Sequence, residues 1–127
     1  MQKDFDRWNK EKKHLDTAQK DVDFHEREIW WCSIGVNIGS EQHSQTNDFS
    51  RPILVVRRFT PDMFWGIPLT TKLREGGFRY RFVFDGVESE ALLLQMRAYD
   101  RKRLVRKVGM MPKEFFVHVI REIKSLL

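Results

Sequence analysis

Nine side chains could together handle a phosphate group: Ser40, Glu41, Gln42, Arg51, Thr70, Thr71, Lys72, Gln95 and Arg97. All but Glu41 are neutral and polar or cationic. Arginine offers phosphate oxygens a rigid fork of donors that lysine cannot imitate. Cleaving RNA through its own 2'-hydroxyl needs no metal and no protein nucleophile. It needs a group to orient or deprotonate that hydroxyl, cations for the developing charge, and a donor to the leaving oxygen. Arg51 has the most telling setting, directly before Pro52 and the aliphatic run Ile53 to Val56. A strand starting at the proline gives it a firm base.

Other chemistries find little support. His14, His25, His43 and His118 are scattered, and none stands at ligand spacing from a second His or Cys, so no metal site and no cofactor is expected. His43 falls in a polar loop and His118 at the flank of a helical stripe. No Walker-type loop, nucleophile elbow or dinucleotide fingerprint occurs. Gly35 and Gly39 are too few to cradle a phosphate alone. Glu88 and Glu90 flank a strand, where exposure to solvent is the simpler account. Cys32, the single cysteine, lies between Trp31 and Ser33 in an apolar stretch. It cannot form an internal disulfide and reads as a buried structural thiol in a reducing compartment.

The elements that must position the nine follow from patterning. At 127 residues the chain fits one domain with a real core. No apolar run approaches bilayer length and the first residues lack the pattern of a secretory signal, so a soluble cytoplasmic protein without membrane contact is expected. The net charge of +5 is unevenly spread: residues 51–81 hold seven basic and two acidic residues, and residues 97–107 six basic and one acidic. Two basic blocks suit a polyanion partner, although a solvated basic face would look the same.

Phe5, Trp8, Leu15 and Val22 mark a thin stripe that predicts a helix over about residues 4–20, packed on the domain or on a partner. Strands are predicted over 28–33, 52–59, 63–69, 78–84, 91–96 and 105–109. In FRYRFVF, Phe78, Tyr80, Phe82 and Phe84 should point one way and Arg79 and Arg81 the other. Gly76 with Gly77, and Asp85 with Gly86, are turn signals. Pro112 opens a last helix whose stripe is Phe115, Phe116, Val119, Ile120, Ile123 and Leu127. So many short strands in about 80 residues form a small barrel more readily than a flat sheet.

The segments EIWW (Glu28 to Trp31), NIGSEQ (Asn37 to Gln42), RPILVV (Arg51 to Val56), IPLTTK (Ile67 to Lys72) and QMRAYDRKRL (Gln95 to Leu104), in this order, resemble the MazF/PemK toxins. These are the ribosome-independent endoribonucleases of type II toxin-antitoxin systems. The resemblance covers about residues 26–127, leaving 1–25 as an N-terminal helical extension. It implies an SH3-like barrel with a C-terminal helix, usually a homodimer whose cleft binds single-stranded RNA, and a cognate antitoxin. It also implies that Arg51 and Thr70 form the central catalytic pair, with Glu41 as a supporting acid. Arg51 would stabilise the charged phosphorane; a free-base role would need strong perturbation of a pKa above about 12. Thr70 would hold a phosphate oxygen or the 2'-hydroxyl. Ser40, Gln42, Thr71, Lys72, Gln95 and Arg97 would contact RNA.

Two departures matter. The Kid branch of the family has Arg-x-Asp just ahead of the Gln, where this chain has Leu92, Leu93 and Leu94, so the carboxylate-base mechanism proposed for that branch does not transfer. The interval from His43 to Ser50 exceeds the usual link and would suit a lid over the cleft. Arg51 could also be only an exposed strand-end cation, Thr70 a β-branched strand residue, and Glu41 a structural partner of Arg97. The alternative to a nuclease is an inactive RNA- or protein-binding module on the same fold, or a CcdB-like toxin directed at gyrase.

Overall fold

In β2 (Ser50–Thr60), strict alternation sends Ile53 and Val55 to one side and Leu54 and Val56 to the other, and all four are buried. A strand buried on both faces needs a core on each. The computed structural model, which describes residues 22–34 and 50–127, shows both. One core gathers Ile53 and Val55 with Phe24, Cys32, Phe64 and Tyr99. The other gathers Leu54 and Val56 with Ile29, Ile67, Phe82 and Val119 of the C-terminal helix.

Around β2 stand β1 (Glu28–Ser33), β3 (Met63–Thr70), β4 (Arg79–Phe84), β5 (Val87–Leu92), β6 (Arg97–Asp100) and β7 (Leu104–Met110), followed by helix α1 (Lys113–Leu126). The ladder runs β4-β5-β3-β2-β1-β7, with β6 on β3, and every recorded pair is antiparallel. The mainly β class with a C-terminal helix is as expected, but among the described residues the sheet does not close into a cylinder. The bend lies in β3. Its first half, Met63 to Gly66, pairs with β6, whereas Leu69 and Thr70 pair with β5. Pro68 sits at the changeover and has no N–H to give a ladder, so the strand can leave one neighbour and join another there.

Four expectations need correction. The apolar run Ala91 to Met96 is not one strand: β5 ends at Leu92, Leu93–Gln95 form a 3-10 turn, and a seventh strand, β6, starts at Arg97. A short apolar run rich in leucine fits strand and helix equally well, so periodicity could not divide it. Phe78 does not share the inward face of Tyr80, Phe82 and Phe84, because its φ of 51° turns the chain before β4 begins. Glu90 is buried, not exposed. Leu127 is 96% exposed, beyond the docked part of the α1 stripe, while Phe115, Phe116, Val119, Ile120 and Ile123 do pack on the core.

Other readings hold. Asp85 and Gly86, with φ of 60° and 79°, form the tight β4–β5 turn between Phe84 and Val87. Both central residues lie at positive φ, as the hairpin turn matched to strand twist requires. Cys32 is buried without a disulfide. The helix predicted over residues 4–20 and the lid predicted between His43 and Ser50 lie outside the described residues, save Ser50, which begins β2.

Candidate active site

Arg51 is the second residue of β2, half-buried, and paired in register with Cys32 of β1. Its side chain lines a cleft of about 490 Å³ whose described walls also include Pro68 of β3, Leu94 and Gln95 of the 3-10 turn, and Arg97 and Tyr99 of β6. The cleft thus collects Arg51 on one side and Gln95 and Arg97 on the other, from two distant parts of the chain. It exists because β3 changes partner: the turn Leu93–Gln95 bridges from β5 to β6 across the gap, and Gln95 is carried to Arg51 with it.

Thr70 closes β3. The recorded β2–β3 pairing ends with Ile53 opposite Pro68. Arg51 and Thr70 each lie two residues past that rung, which the pleat places on the face of the pair. Thr70 is half-buried, and its Oγ1 accepts a hydrogen bond from Lys72 N at 3.0 Å. A hydroxyl used as an acceptor still has its proton to donate. Thr71 and Lys72 are exposed in the following turn. Neither they nor Thr70 line the Arg51 cleft. Ser40, Glu41 and Gln42 lie outside the described residues.

The segment after Thr70 is tied down by Glu90, which faces Thr70 across the β3–β5 ladder. The Glu90 side chain is only 3% exposed. It accepts from Arg79 Nη1, from Arg81 Nε and Nη2 at 3.1 and 2.9 Å, and from the backbone N of Arg74 at 3.2 Å. Arg79 also donates to the Lys72 carbonyl at 3.3 Å. Burial pushes the Glu90 carboxyl up, but the donors from Arg81, Arg74 and Arg79 outweigh it and hold it below the ordinary range. Sequence reasoning missed this hub. The signal was present in Arg79, Arg81 and Glu90 at alternating positions, yet only the register shows that they meet.

Tyr99, which lines the Arg51 cleft, is a second residue that sequence reasoning missed. Burial pushes its phenol up, against the opposing pull of Arg97, Arg51 and Arg103, so at neutral pH it stays a neutral hydroxyl. The Arg97 guanidinium lies 4.9 Å from its ring centroid, which fixes that cation over the cleft wall. A cleft holding two guanidiniums, a carboxamide and a phenol suits an anion with several oxygens, and Leu94 and Met96 supply an apolar wall for a base or ribose. Among the described residues, no three His, Cys, Asp or Glu side chains converge as a metal site. No described helix is long and apolar enough to cross a membrane.

Comparison with known proteins adds an independent line. A family model described as PemK-like, MazF-like toxin of type II toxin-antitoxin system matches residues 25–127. No curated protein sequence matches significantly. Among solved structures, MazF of Deinococcus radiodurans superposes with a TM-score of 0.62 at 20% identity, covering 83% of this chain and 96% of that one. A MazE-MazF structure from the same organism gives 0.61 at 18%, covering 83% and 95%. An endoribonuclease in complex with its cognate antitoxin, from a mycobacterial species, gives 0.61 at 13%, covering 80% and 92%. Identities this low show the shared fold.

Proposed function

Since the chain belongs to the PemK-like, MazF-like toxin family of type II toxin-antitoxin systems, we propose that it is an endoribonuclease that cuts single-stranded RNA without a metal ion. The observation that carries this reading is the meeting of Arg51, Gln95 and Arg97 in one cleft, with Thr70 on the strand beside it. The ribose 2'-oxygen loses its proton to solvent as it attacks the adjacent phosphorus, and the bond to the 5'-oxygen breaks as that oxygen takes a proton from solvent, leaving a cyclic phosphate and a 5'-hydroxyl. Arg51 stabilises the phosphorane charge, and its base in a strand buried on both faces keeps the fork aligned before the reaction. The Thr70 hydroxyl donates to a phosphate oxygen or holds the attacking 2'-hydroxyl. Gln95 and Arg97 bind the backbone, Thr71 and Lys72 the neighbouring phosphate, with Glu41 as a supporting acid and Ser40 and Gln42 as further RNA contacts.

In this reading the protein works in the cytoplasm as a homodimer, and residues 1–25 form an extension to the toxin domain. A cognate antitoxin covers the cleft through an acidic or hydrophobic segment, which the basic blocks favour. Among the similar structures, one is an endoribonuclease in complex with its cognate antitoxin and another holds MazE with MazF.

The test is cleavage of a long unstructured RNA by purified protein in EDTA. Arg51→Ala should slow it by about 10²–10³-fold, the cost of removing one donor from a charge-stabilising site, with an unchanged melting temperature. Full activity in that variant would take Arg51 out of the mechanism. If neither protein cuts RNA and both bind it, the fold serves as a binding module.

A further inference from the structure

The segment between β3 and β4 forms an arch beside a second cavity, widely open to solvent and of about 530 Å³, lined by Arg74, Glu75, Phe78, Arg79, Arg81 and Glu90. That is room for a nucleotide, given that small-ligand pockets span about 300–1,000 Å³. Three guanidiniums against two carboxylates leave it net cationic. Glu90 engages Arg79 and two nitrogens of Arg81 from below, so their forks are fixed. The Arg81 side chain remains 49% exposed and Arg74 is exposed, so both can reach an outside anion.

Phe78 is the unexpected member. It is 56% exposed and held at a φ of 51°, a conformation that costs a side-chain-bearing residue about 1–2 kcal/mol. Gly76 and Gly77, at φ of 76° and 74°, shape the arch ahead of it. Its carbonyl accepts from Leu93 N at 3.3 Å, at the head of the turn whose Leu94 and Gln95 line the Arg51 cleft. Leu94, 65% exposed, forms the wall of the Arg51 cleft next to that hydrogen bond along the chain. An aromatic ring held out to solvent beside half-free guanidiniums is the arrangement that stacks a base and binds its phosphates.

We propose that the β3–β4 arch is a second nucleotide-binding subsite, where Phe78 stacks on a base and Arg74 and Arg81 meet phosphates of the RNA strand that also occupies the Arg51 cleft. This rests on the RNA-directed reading above and extends it. The strand passes over Leu94, so RNA long enough to fill both cavities binds more tightly than RNA that fills one. Because Glu90 clamps Lys72 through Arg79, the same carboxylate sets the spacing between this subsite and Thr70.

The probe is mixed-sequence single-stranded RNA with 2'-fluoro groups replacing the hydroxyls, which cannot be cut, in a long and a short form. Affinities are measured for wild type, Phe78→Ala and Arg74→Gln; both positions are exposed, and unchanged melting temperatures confirm intact folds. Phe78→Ala should weaken binding of the long form by about fivefold or more, fivefold being the low end of one lost stacking contact, and leave the short form unaffected. Arg74→Gln should lower the slope of log affinity against log salt by about one. Equal affinity of all three proteins for the long RNA overturns the subsite while leaving the cleft reading intact. Failure of the wild type to bind either RNA overturns both.

Discussion

Glu90 shows how much one side chain can organise. With almost no exposure to water, a carboxylate is tolerated only if it is paired and hydrogen-bonded, and Arg79, Arg81 and the Arg74 amide meet that need. The carboxyl is held below its unfolded value, so its contribution is fully present above about pH 4.5 and fades as pH falls through the lower folded value. Wild-type protein should therefore lose thermal stability on acidification through that window. Glu90→Gln should be less stable at neutral pH and show a smaller acid-induced drop, read as melting temperature against pH. Parallel pH profiles for the two proteins would mean that Glu90 does not titrate in this network. Cys32 is a quieter case: burial pushes its thiol up to about 12, against a smaller pull from Arg103, which suits an inert packing residue.

At the scale of elements, β3 decides the architecture. Gly66 lets β2, β3 and β6 close tightly on one another, because a Cβ there would stand 2.5 Å from Ile53 Cγ2, with Phe64 and Tyr99 side chains at 3.0 and 3.1 Å. These neighbours are rigid members of a packed core, unlike the end of a flexible surface chain. Gly66→Ala should cost about 1–3 kcal/mol through overpacking, measured by urea denaturation. Tyr99 also walls the cleft, so the same variant should cleave RNA more slowly at temperatures where it remains folded. Wild-type stability in this variant would show that the core has slack at that point. One step along, Pro68 ends the pairing with β2 and allows Thr70 to face Glu90 on β5.

At the scale of the molecule, the two basic blocks of the sequence fold to neighbouring places: Arg51 with Arg97 in the cleft, and Arg74, Arg79 and Arg81 around the arch. Phosphate binding by such a surface releases counterions, so affinity for single-stranded RNA should fall steeply with salt, by about a tenfold or greater factor between low and physiological concentration. Affinity measured across a salt series checks this; a flat response would assign binding to stacking and hydrogen bonds alone. Part of the basic excess does not face RNA in this picture, because Glu90 neutralises Arg79 and Asp62 pairs with Arg101 at 3.1 Å. Formal charge along the chain overstates the field that a ligand meets.

The strands with clear alternation, the Asp85–Gly86 turn, the docked face of α1 and the burial of Cys32 were legible in the chain alone, because each depends on residues near one another in it. Motif order was enough to expect the family. The cleft that unites Arg51 with Gln95 and Arg97, the arch with its exposed Phe78, and the burial of Glu90 were decided only by tertiary structure. Each of these depends on register between distant strands and on the change of partner within β3. A pattern of period two fixes which face a residue takes but not which residue of another strand lies across from it.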